Sequence, residues 1–445
     1  MNMVNSSQSD NFGQGTKSQE PRAKSQKPIV ERQYILPFVL VTSLFALWGL
    51  ANNMTDTLLA AFRKIMQMSD TQTSFIQMAF YGAYFCLALP AALFIRKHSY
   101  KSGVIMGLCL YALGTLLFLP AAELESYAFY LIAIYIMASG CSVLETTANP
   151  YIMRMGTPET ATRRLNIAQS FNPIGSIMGI LISKYFILQD ISLYSVSGTY
   201  AAVGVVLIAI MVVMLFSRMP EGQEARSKLA GSGHQELSST FRRLFNNPQY
   251  AWGVVAQFFY VGAQIGVWSY TIRLVMKELG MVEAQAATLY LISIIGFCAS
   301  RFVYTWLMSY FAPGRLLAAG AVLSAVCATL VVLTGGWTCV VALILVSVFM
   351  SLMFPTIYGI ALGSITDAES LQDAGDKRVG DTAGDVKIGA SGLIMAILGG
   401  ALLTPVQGMV SDAYGINMSY LVPLSCFLVV LAYALYTLKG ANASA

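Results

Sequence analysis

The sequence is poor in charge. Only 11% of its 445 residues are Asp, Glu, Lys or Arg, whereas 56% are hydrophobic, and ordinary globular domains carry about 25% charged residues. Apolar runs recur along the chain, each near the ~20 residues that a bilayer-spanning helix requires. These features exclude a soluble globular protein and predict an all-α membrane protein.

Residues typical of enzymes and of ATP-driven pumps are also scarce. The chain has two histidines, His98 and His234, both near predicted loops, so histidine-based metal sites and catalytic triads are not expected. It contains no Gly-x-x-x-x-Gly-Lys-Ser/Thr stretch, which argues against ATP as the energy source. No nucleophile–base pair stands out. We therefore expect a protein that is not an enzyme and that uses no cofactor.

Neither the cysteines nor the acidic residues predict a metal site. The seven cysteines lie in apolar stretches without metal-type spacing, and we interpret them as small buried hydrophobic residues. A loop at 365–385 alternates Asp with Gly but lacks the twelve-residue calcium-ligand spacing and its terminal Glu. We expect this acidic loop to be solvated.

The apolar runs predict twelve transmembrane helices arranged as two six-helix bundles. We divide the chain into a disordered cytoplasmic tail at 1–33, an N-terminal bundle at 34–217, a cytoplasmic linker at 218–248 and a C-terminal bundle at 249–445. The tail lacks the short apolar run of a signal peptide. The predicted spans are 34–62, 70–95, 102–121, 127–152, 164–188, 198–217, 249–276, 284–310, 314–334, 337–364, 386–411 and 416–438.

The basic residues predict the orientation of these spans. With the N-terminus inside, 21 of the 27 Lys and Arg residues fall on the cytoplasmic side and five on the other. Cytoplasmic loops of membrane proteins carry such an excess of Lys and Arg, so both termini are expected in the cytoplasm. Arg301 stands apart, within span eight, and the sequence does not decide whether it pairs with an acid, caps a gate or snorkels.

Span one carries the first intramembrane acid. Asp56 follows Asn52 and Asn53 in a segment that is apolar from Tyr34 to Phe62, and spacings of three and four residues place these side chains on one helix face. An ionisable residue at such depth costs about 2.5–3.5 kcal/mol on insertion scales and is a functional candidate by default. The alternative is an ordinary interfacial charge near the end of the span.

Spans four and five carry a second polar face. Glu145 and Asn149 are four residues apart, just before Pro150, and Asn166, Gln169 and Asn172 repeat every three residues in the next span. The same interfacial alternative applies to Glu145. Two acids at different depths could take up a proton on one side and release it on the other, and coupling follows if sugar binding and protonation favour the same conformation.

The second half offers amides and aromatic rings at helical spacing. Amides supply both donors and acceptors, and rings suit the apolar C–H faces of a sugar. Packing between helices is an equally good explanation of these stripes. The candidates are Gln257, Tyr260, Gln264 and Trp268 in span seven, and Phe354 and Tyr358 in span ten.

Several local motifs resemble those of the fucose–proton symporter family of the major facilitator superfamily. The likeness extends from about Gln33 to the last span and is spread through both halves. It rests on Ala51–Asn52–Asn53 followed by Asp56, Leu144–Glu145–Thr146 followed by Ala148–Asn149–Pro150, Leu165–Asn166 followed by Ala168–Gln169, Ala256–Gln257–Phe258, Tyr260–Val261–Gly262–Ala263–Gln264 and Phe311–Ala312–Pro313.

The resemblance implies two bundles that alternate access to a central sugar site. It further implies that Asp56 carries the proton, that Glu145 takes part in sugar recognition and in coupling, and that Asn53, Gln169 and Asn172 line the site. Phe354 departs from the tyrosine expected there, and the acidic loop looks longer than usual, so the identity of the sugar stays open.

The sequence thus predicts a proton-coupled monosaccharide symporter of a bacterial inner membrane, with L-fucose as the first choice. Galactose, glucose or mannose could replace it, and a facilitator or a membrane sugar sensor are further alternatives. We expect monosaccharide, protons and the lipid bilayer as partners, no nucleic acid, and a monomer.

Overall fold

The computed structural model describes residues 29–67, 70–187, 192–220, 237–372 and 382–443, which are helical and contain no strand. At some helical positions, Asp56 among them, the side chain lies outside the described set. The helices are α1 Ile35–Ile65, α2 Asp70–Lys97, α3 Tyr100–Leu116, α4 Phe118–Glu123, α5 Tyr127–Met153, α6 Ala161–Gln169, α7 Asn172–Ile182, α8 Leu193–Phe216, α9 Leu237–Asn246, α10 Pro248–Leu279, α11 Glu283–Leu307, α12 Pro313–Leu333, α13 Gly336–Met350, α14 Met353–Gln372, α15 Thr382–Met395, α16 Leu398–Tyr414 and α17 Leu421–Ala443.

The prediction of twelve spans is confirmed. Eleven segments of the described chain are long and apolar enough to cross a membrane, and α10, with 32 residues, is the twelfth. The sequence predicts twelve continuous helices, but four of the spans consist of two shorter helices each. These pairs are α3 with α4, α6 with α7, α13 with α14, and α15 with α16. Discontinuous spans of this kind often surround the substrate site of a transporter.

The twelve spans form two groups of six. In the N-terminal half, α5 packs against α2 and α3, and α1 packs against α7. In the C-terminal half, α10 packs against α16 and α17, and α12 packs against α13 and α17. The halves meet where α2 contacts α15, α6 contacts α14 and α7 contacts α11. Residues at these three contacts pack against the other half of the molecule.

Two prolines accompany two of the breaks. Proline has no N–H group and cannot donate to the carbonyl four residues earlier. Pro173, in the first turn of α7, leaves the carbonyl of Gln169 without its helical donor, and Pro355 in α14 does the same to Ser351. In an apolar environment such freed carbonyls require another donor.

Glycines allow α1 and α7 to cross with their backbones in contact. A Cβ atom at Gly175 would overlap the carbonyl oxygen of Ala46, and one at Gly49 would overlap that of Asn172. Small residues permit this close approach in membrane bundles. The crossing fixes α7, and with it Asn172, against α1.

The sequence predicts only a connecting linker between the halves, but the linker contains a helix, α9. α9 buries Thr240 and Leu244, and Arg243 makes two parallel hydrogen bonds to Asp385, Nε to Oδ2 at 2.6 Å and Nη2 to Oδ1 at 2.7 Å. The expectation of a solvated loop at 365–385 is therefore wrong at both ends. α14 continues to Gln372 and Asp385 is buried in the first turn of α15, while 373–381 lie outside the described residues.

Lysine and arginine side chains bind helix ends on one side of the molecule. We call this side the terminal face, because it holds Ile29 and the C-terminal ends of α2, α5 and α8. Nζ of Lys101 donates to the carbonyl of Leu215 at the end of α8, at 2.7 Å. The buried Arg164 donates from Nε to the carbonyl of Ile152 near the end of α5 and from Nη1 to that of Ile29, both at 2.8 Å. The last four carbonyls of a helix lack partners further along the same helix, and these cations supply charged donors to such carbonyls.

Candidate functional site

Glu145 is the most unusual residue of the described chain. It lies in α5 with 3% of its surface exposed, and neither carboxyl oxygen makes a hydrogen bond to a described residue. A buried carboxylate without partners is costly, so such a group is normally paired or neutral. Glu145 is thus buried within the protein, and its depth in the membrane stays a prediction.

Glu145 faces the other half of the molecule. The hydroxyl of Tyr358, in α14, lies near Glu145 and Asn149 without reaching hydrogen-bonding geometry to any described residue. On the N-terminal side Tyr84 is also within electrostatic range of the acid, and its hydroxyl accepts the indole N–H of Trp48. A phenol from each half therefore lies within electrostatic range of the same carboxyl group.

Two amides predicted on separate spans come together beside this acid. Nε2 of Gln169, the last residue of α6, donates to Oδ1 of Asn149 in α5 at 2.8 Å. Both side chains are buried, and Nδ2 of Asn149 makes no hydrogen bond to a described residue. The pair fixes the orientation of the Asn149 amide and leaves one donor available.

Gln257 supplies an amide from the C-terminal half. It is fully buried in α10, and neither Oε1 nor Nε2 makes a hydrogen bond to a described residue. More than about 90% of buried polar groups in proteins are hydrogen-bonded, and an unpaired one costs about 1–3 kcal/mol. A polar ligand or water would relieve this cost. We call the buried polar residues among the predicted sugar ligands, Glu145, Asn149, Gln169, Gln257 and Tyr358, the central cluster.

Phe354 provides an apolar surface at the junction of the halves. Its ring centroid lies 6.4 Å from each of three others, those of Trp48 in α1, Tyr260 in α10 and Tyr358. Trp48 belongs to the N-terminal half and the other rings to the C-terminal half. Aromatic faces of this kind accept the C–H side of a sugar ring.

The remaining predicted residues of the first half lie along α1 and α7. Nδ2 of Asn53 donates to the carbonyl of Gly49 at 3.1 Å, and Nδ2 of Asn172 donates to that of Phe45 at 3.3 Å. Asn172 thus spans the crossing of α1 and α7. The side chain of Asp56 lies outside the described residues, so its role stays a prediction.

In the second half, Trp268 and Gln264 are half-buried in α10. The indole N–H of Trp268 donates to Oγ of Ser347 at 3.3 Å, and its ring packs edge-on against Phe297 with centroids 5.0 Å apart. Both partners come from neighbouring helices of the same half, so Trp268 also has the helix-packing role that the sequence left open.

Arg301 is a residue that the sequence could not place. Only 3% of its surface is exposed; Nε donates to the carbonyl of Ser351 at 2.7 Å and Nη1 to that of Gln169 at 3.0 Å. These are the two carbonyls that Pro173 and Pro355 leave free. The sequence contains a signal for these two contacts, because each proline follows by four residues a carbonyl that lacks its helical donor.

The central cluster combines one acid, amides, a phenol and aromatic rings. Amides and a phenol can both donate and accept, which suits a ligand with many hydroxyl groups, and the acid can hold or release a proton. No group of three or more His, Cys, Asp or Glu residues comes together in the part of the chain that the structure describes. These are the groups with which proteins bind polar, uncharged molecules.

Twelve spans in two halves around a buried polar cluster define the fold of a secondary transporter. The family model of the major facilitator superfamily matches residues 38–370, and the chain belongs to that superfamily. It is similar to the L-fucose-proton symporter of Haemophilus influenzae, with 38% identity over 91% of this chain and 97% of the relative. A glucose/galactose transporter of Brucella abortus is 29% identical over 92% and 96% of the two chains.

A solved structure shares the fold over nearly the whole chain. It is the crystal structure of a major facilitator superfamily transporter, FucP, in the outward conformation, with a TM-score of 0.79 and 35% identity over 91% of this chain and 99% of that one. These relatives are named as symporters and transporters. This chain is accordingly a multi-pass membrane transporter and not an enzyme.

Proposed function

We propose that this protein is a proton-coupled symporter of a monosaccharide, most simply L-fucose. The observation that carries the proposal is Glu145, a buried acid without a hydrogen bond to a described residue, at the junction of the two halves. The unbonded amide groups of Asn149 and Gln257 lie on opposite halves. The name of the Haemophilus influenzae relative supports the choice of sugar.

The cluster gives this proposal a physical mechanism. A sugar held between Asn149, Gln169 and Gln257 satisfies amide groups from both halves, which favours their closure around it. Closure excludes water from Glu145 and raises the cost of its negative charge, so uptake of a proton favours the same closed state. Because both ligands favour one conformation, each increases the affinity for the other. Asp56 and Glu145 are the proposed proton carriers.

The sugar contacts follow from the same geometry. We assign sugar binding to Asn53, Glu145, Asn149, Gln169, Asn172, Gln257, Gln264, Trp268, Phe354 and Tyr358. A second candidate, a symporter for glucose or galactose, is favoured by the Brucella abortus relative.

The membrane setting is part of the proposal. The terminal face carries the basic residues Lys101 and Arg164, and the positive-inside rule places such a face in the cytoplasm. We propose a monomer in the lipid bilayer of a bacterial inner membrane, with both termini cytoplasmic. The bundles would comprise 34–217 and 249–445, joined by the linker at 218–248.

Sugar-induced alkalinisation of a weakly buffered cell suspension tests the function directly. Cells that make the protein receive L-fucose, D-galactose, D-glucose or D-mannose, and the external pH is recorded. A pH rise with L-fucose, absent in Asp56→Asn, is expected. Labelled sugar entering without a pH change would instead indicate a facilitator, and uptake of none of the four sugars would contradict the sugar assignment.

Removing the Gln257 amide should weaken sugar binding. Gln257→Leu removes Oε1 and Nε2, neither of which makes a hydrogen bond to a described residue. We expect the Kd for the transported sugar to rise about 10- to 100-fold, because about 1.4–3 kcal/mol of binding free energy is lost. Isothermal titration of purified protein measures it. Gln285→Leu, at an exposed amide of α11, is the matched control and should bind like the parent. Equal Kd values for Gln257→Leu and the parent would show that Gln257 does not bind the sugar.

A further inference from the structure

Arg301 joins the two halves through backbone groups alone. It belongs to α11 of the C-terminal half, and Nη1 reaches the carbonyl of Gln169 in the N-terminal half. Nε binds Ser351 within its own half, and the guanidinium lies over the ring of Phe297 at 4.6 Å. No carboxylate of the described residues pairs with it. A buried cation is stable here because it meets carbonyl oxygens that lack other donors.

Lys387 makes a second contact between the two halves. It lies in α15 of the C-terminal half with 5% of its surface exposed, and Nζ donates to the carbonyl of Ile95 in the last turn of α2 at 2.8 Å. The same ammonium group is 4.7 Å from the centre of the Tyr100 ring. Each of the two cations therefore crosses from the C-terminal half to the end of a helix in the N-terminal half.

The helix ends themselves make these contacts favourable. The C-terminal end of a helix carries a partial negative charge and free carbonyl groups, both of which attract cations. Gln169 ends α6, and Ile95 lies two residues before the end of α2. Donation from a charged group to a carbonyl is stronger than between neutral partners.

We propose that Arg301 and Lys387 form a latch that holds the terminal face closed and has to break whenever that face opens. The inference rests on the alternating-access cycle of the proposed function, but not on the identity of the sugar or on proton coupling. Lys101 and Arg164 make the same kind of contact within the N-terminal half, so those contacts can persist while the halves move. The latch cations cannot keep their partners in both states.

A distance measurement across the terminal face tests the latch. Spin labels are attached at two exposed positions, His98→Cys just after α2 and Asn246→Cys at the end of the linker helix α9, which Arg243 binds to Asp385 of the C-terminal half. The full-length protein used has its seven native cysteines replaced. Double electron–electron resonance without sugar then gives the populations of short and long distances. Lys387→Met is compared with Lys101→Met, which removes a lysine cap inside one half, and with Lys387→Arg.

Lys387→Met should raise the ratio of long to short distances about tenfold, the size of effect that one charge-assisted hydrogen bond carries. Lys101→Met and Lys387→Arg should match the parent. A parental distribution in Lys387→Met, or an equal shift in Lys101→Met, would overturn the proposal. Arg301→Met is the second test of the latch, and it too must lengthen the distance. Because no sugar is present, a wrong sugar assignment would not affect these results.

Discussion

Replacing Glu145 with glutamine should abolish uphill accumulation of sugar while sugar exchange continues. Glutamine keeps the size and the hydrogen-bonding ability of the side chain but cannot carry a proton. One proton moving through 100 mV contributes about 2.3 kcal/mol, enough for about 50-fold accumulation of a coupled sugar. In Glu145→Gln we expect the accumulation ratio of labelled sugar in energised cells to fall to about one, because the membrane potential no longer drives transport.

Glu278→Gln is the matched control for that experiment. Glu278 accepts hydrogen bonds from the backbone N–H of Gly336 at 2.8 Å and from Nδ2 of Asn417 at 3.0 Å, within the C-terminal half and outside the central cluster. Its loss of charge should leave the accumulation ratio unchanged. Parental accumulation by Glu145→Gln would exclude Glu145 as a proton carrier, whereas loss of exchange as well would show that glutamine cannot replace it in sugar binding.

Gly175→Ala should strongly destabilise the protein. Alanine normally stabilises a helix by about 0.5–1 kcal/mol relative to glycine, but the new methyl group at Gly175 would overlap the carbonyl oxygen of Ala46. Two helix backbones would have to separate, and overpacking of this kind costs about 1–3 kcal/mol. We expect a lower apparent melting temperature of the detergent-purified protein and, since α7 carries Asn172, weaker sugar binding.

Gly198→Ala is the matched control for Gly175→Ala, because the added methyl group has space there. Gly198 lies in α8, where an added Cβ would meet nothing within 4 Å. Its replacement should leave the apparent melting temperature unchanged or slightly higher. If Gly175→Ala melted no lower than Gly198→Ala, α1 and α7 would not cross as closely as the structure has them.

Features that depend on one span were readable from the sequence. Apolar length located the spans, and the rarity of acids in membrane helices singled out Glu145, whose burial the structure confirms. Helical spacing placed Asn149 on the face of Glu145. These inferences need only the periodicity and composition of a single helix.

Features that depend on two distant segments were not readable. The contact between Gln169 and Asn149 requires the packing of α5 against α6, and the burial of Lys387 requires α2 to end beside α15. From sequence alone, a basic residue near a predicted span end, such as Lys387 or Arg164, has the pattern of a solvated loop charge. Only the fold reveals that each of them donates a hydrogen bond to a carbonyl at the end of another helix.

The cations of the terminal face bear on how the chain is inserted during synthesis. In the proposed orientation Lys101 and Arg164 count toward the cytoplasmic basic excess, and in the folded protein they donate to carbonyls at the ends of α8 and α5. A chain inserted the other way round would hold these charges on the wrong side of the bilayer. Correct orientation during biogenesis and completion of the helix ends therefore depend on the same side chains, so an insertion error would also be a folding error, exposed to quality control before any transport begins.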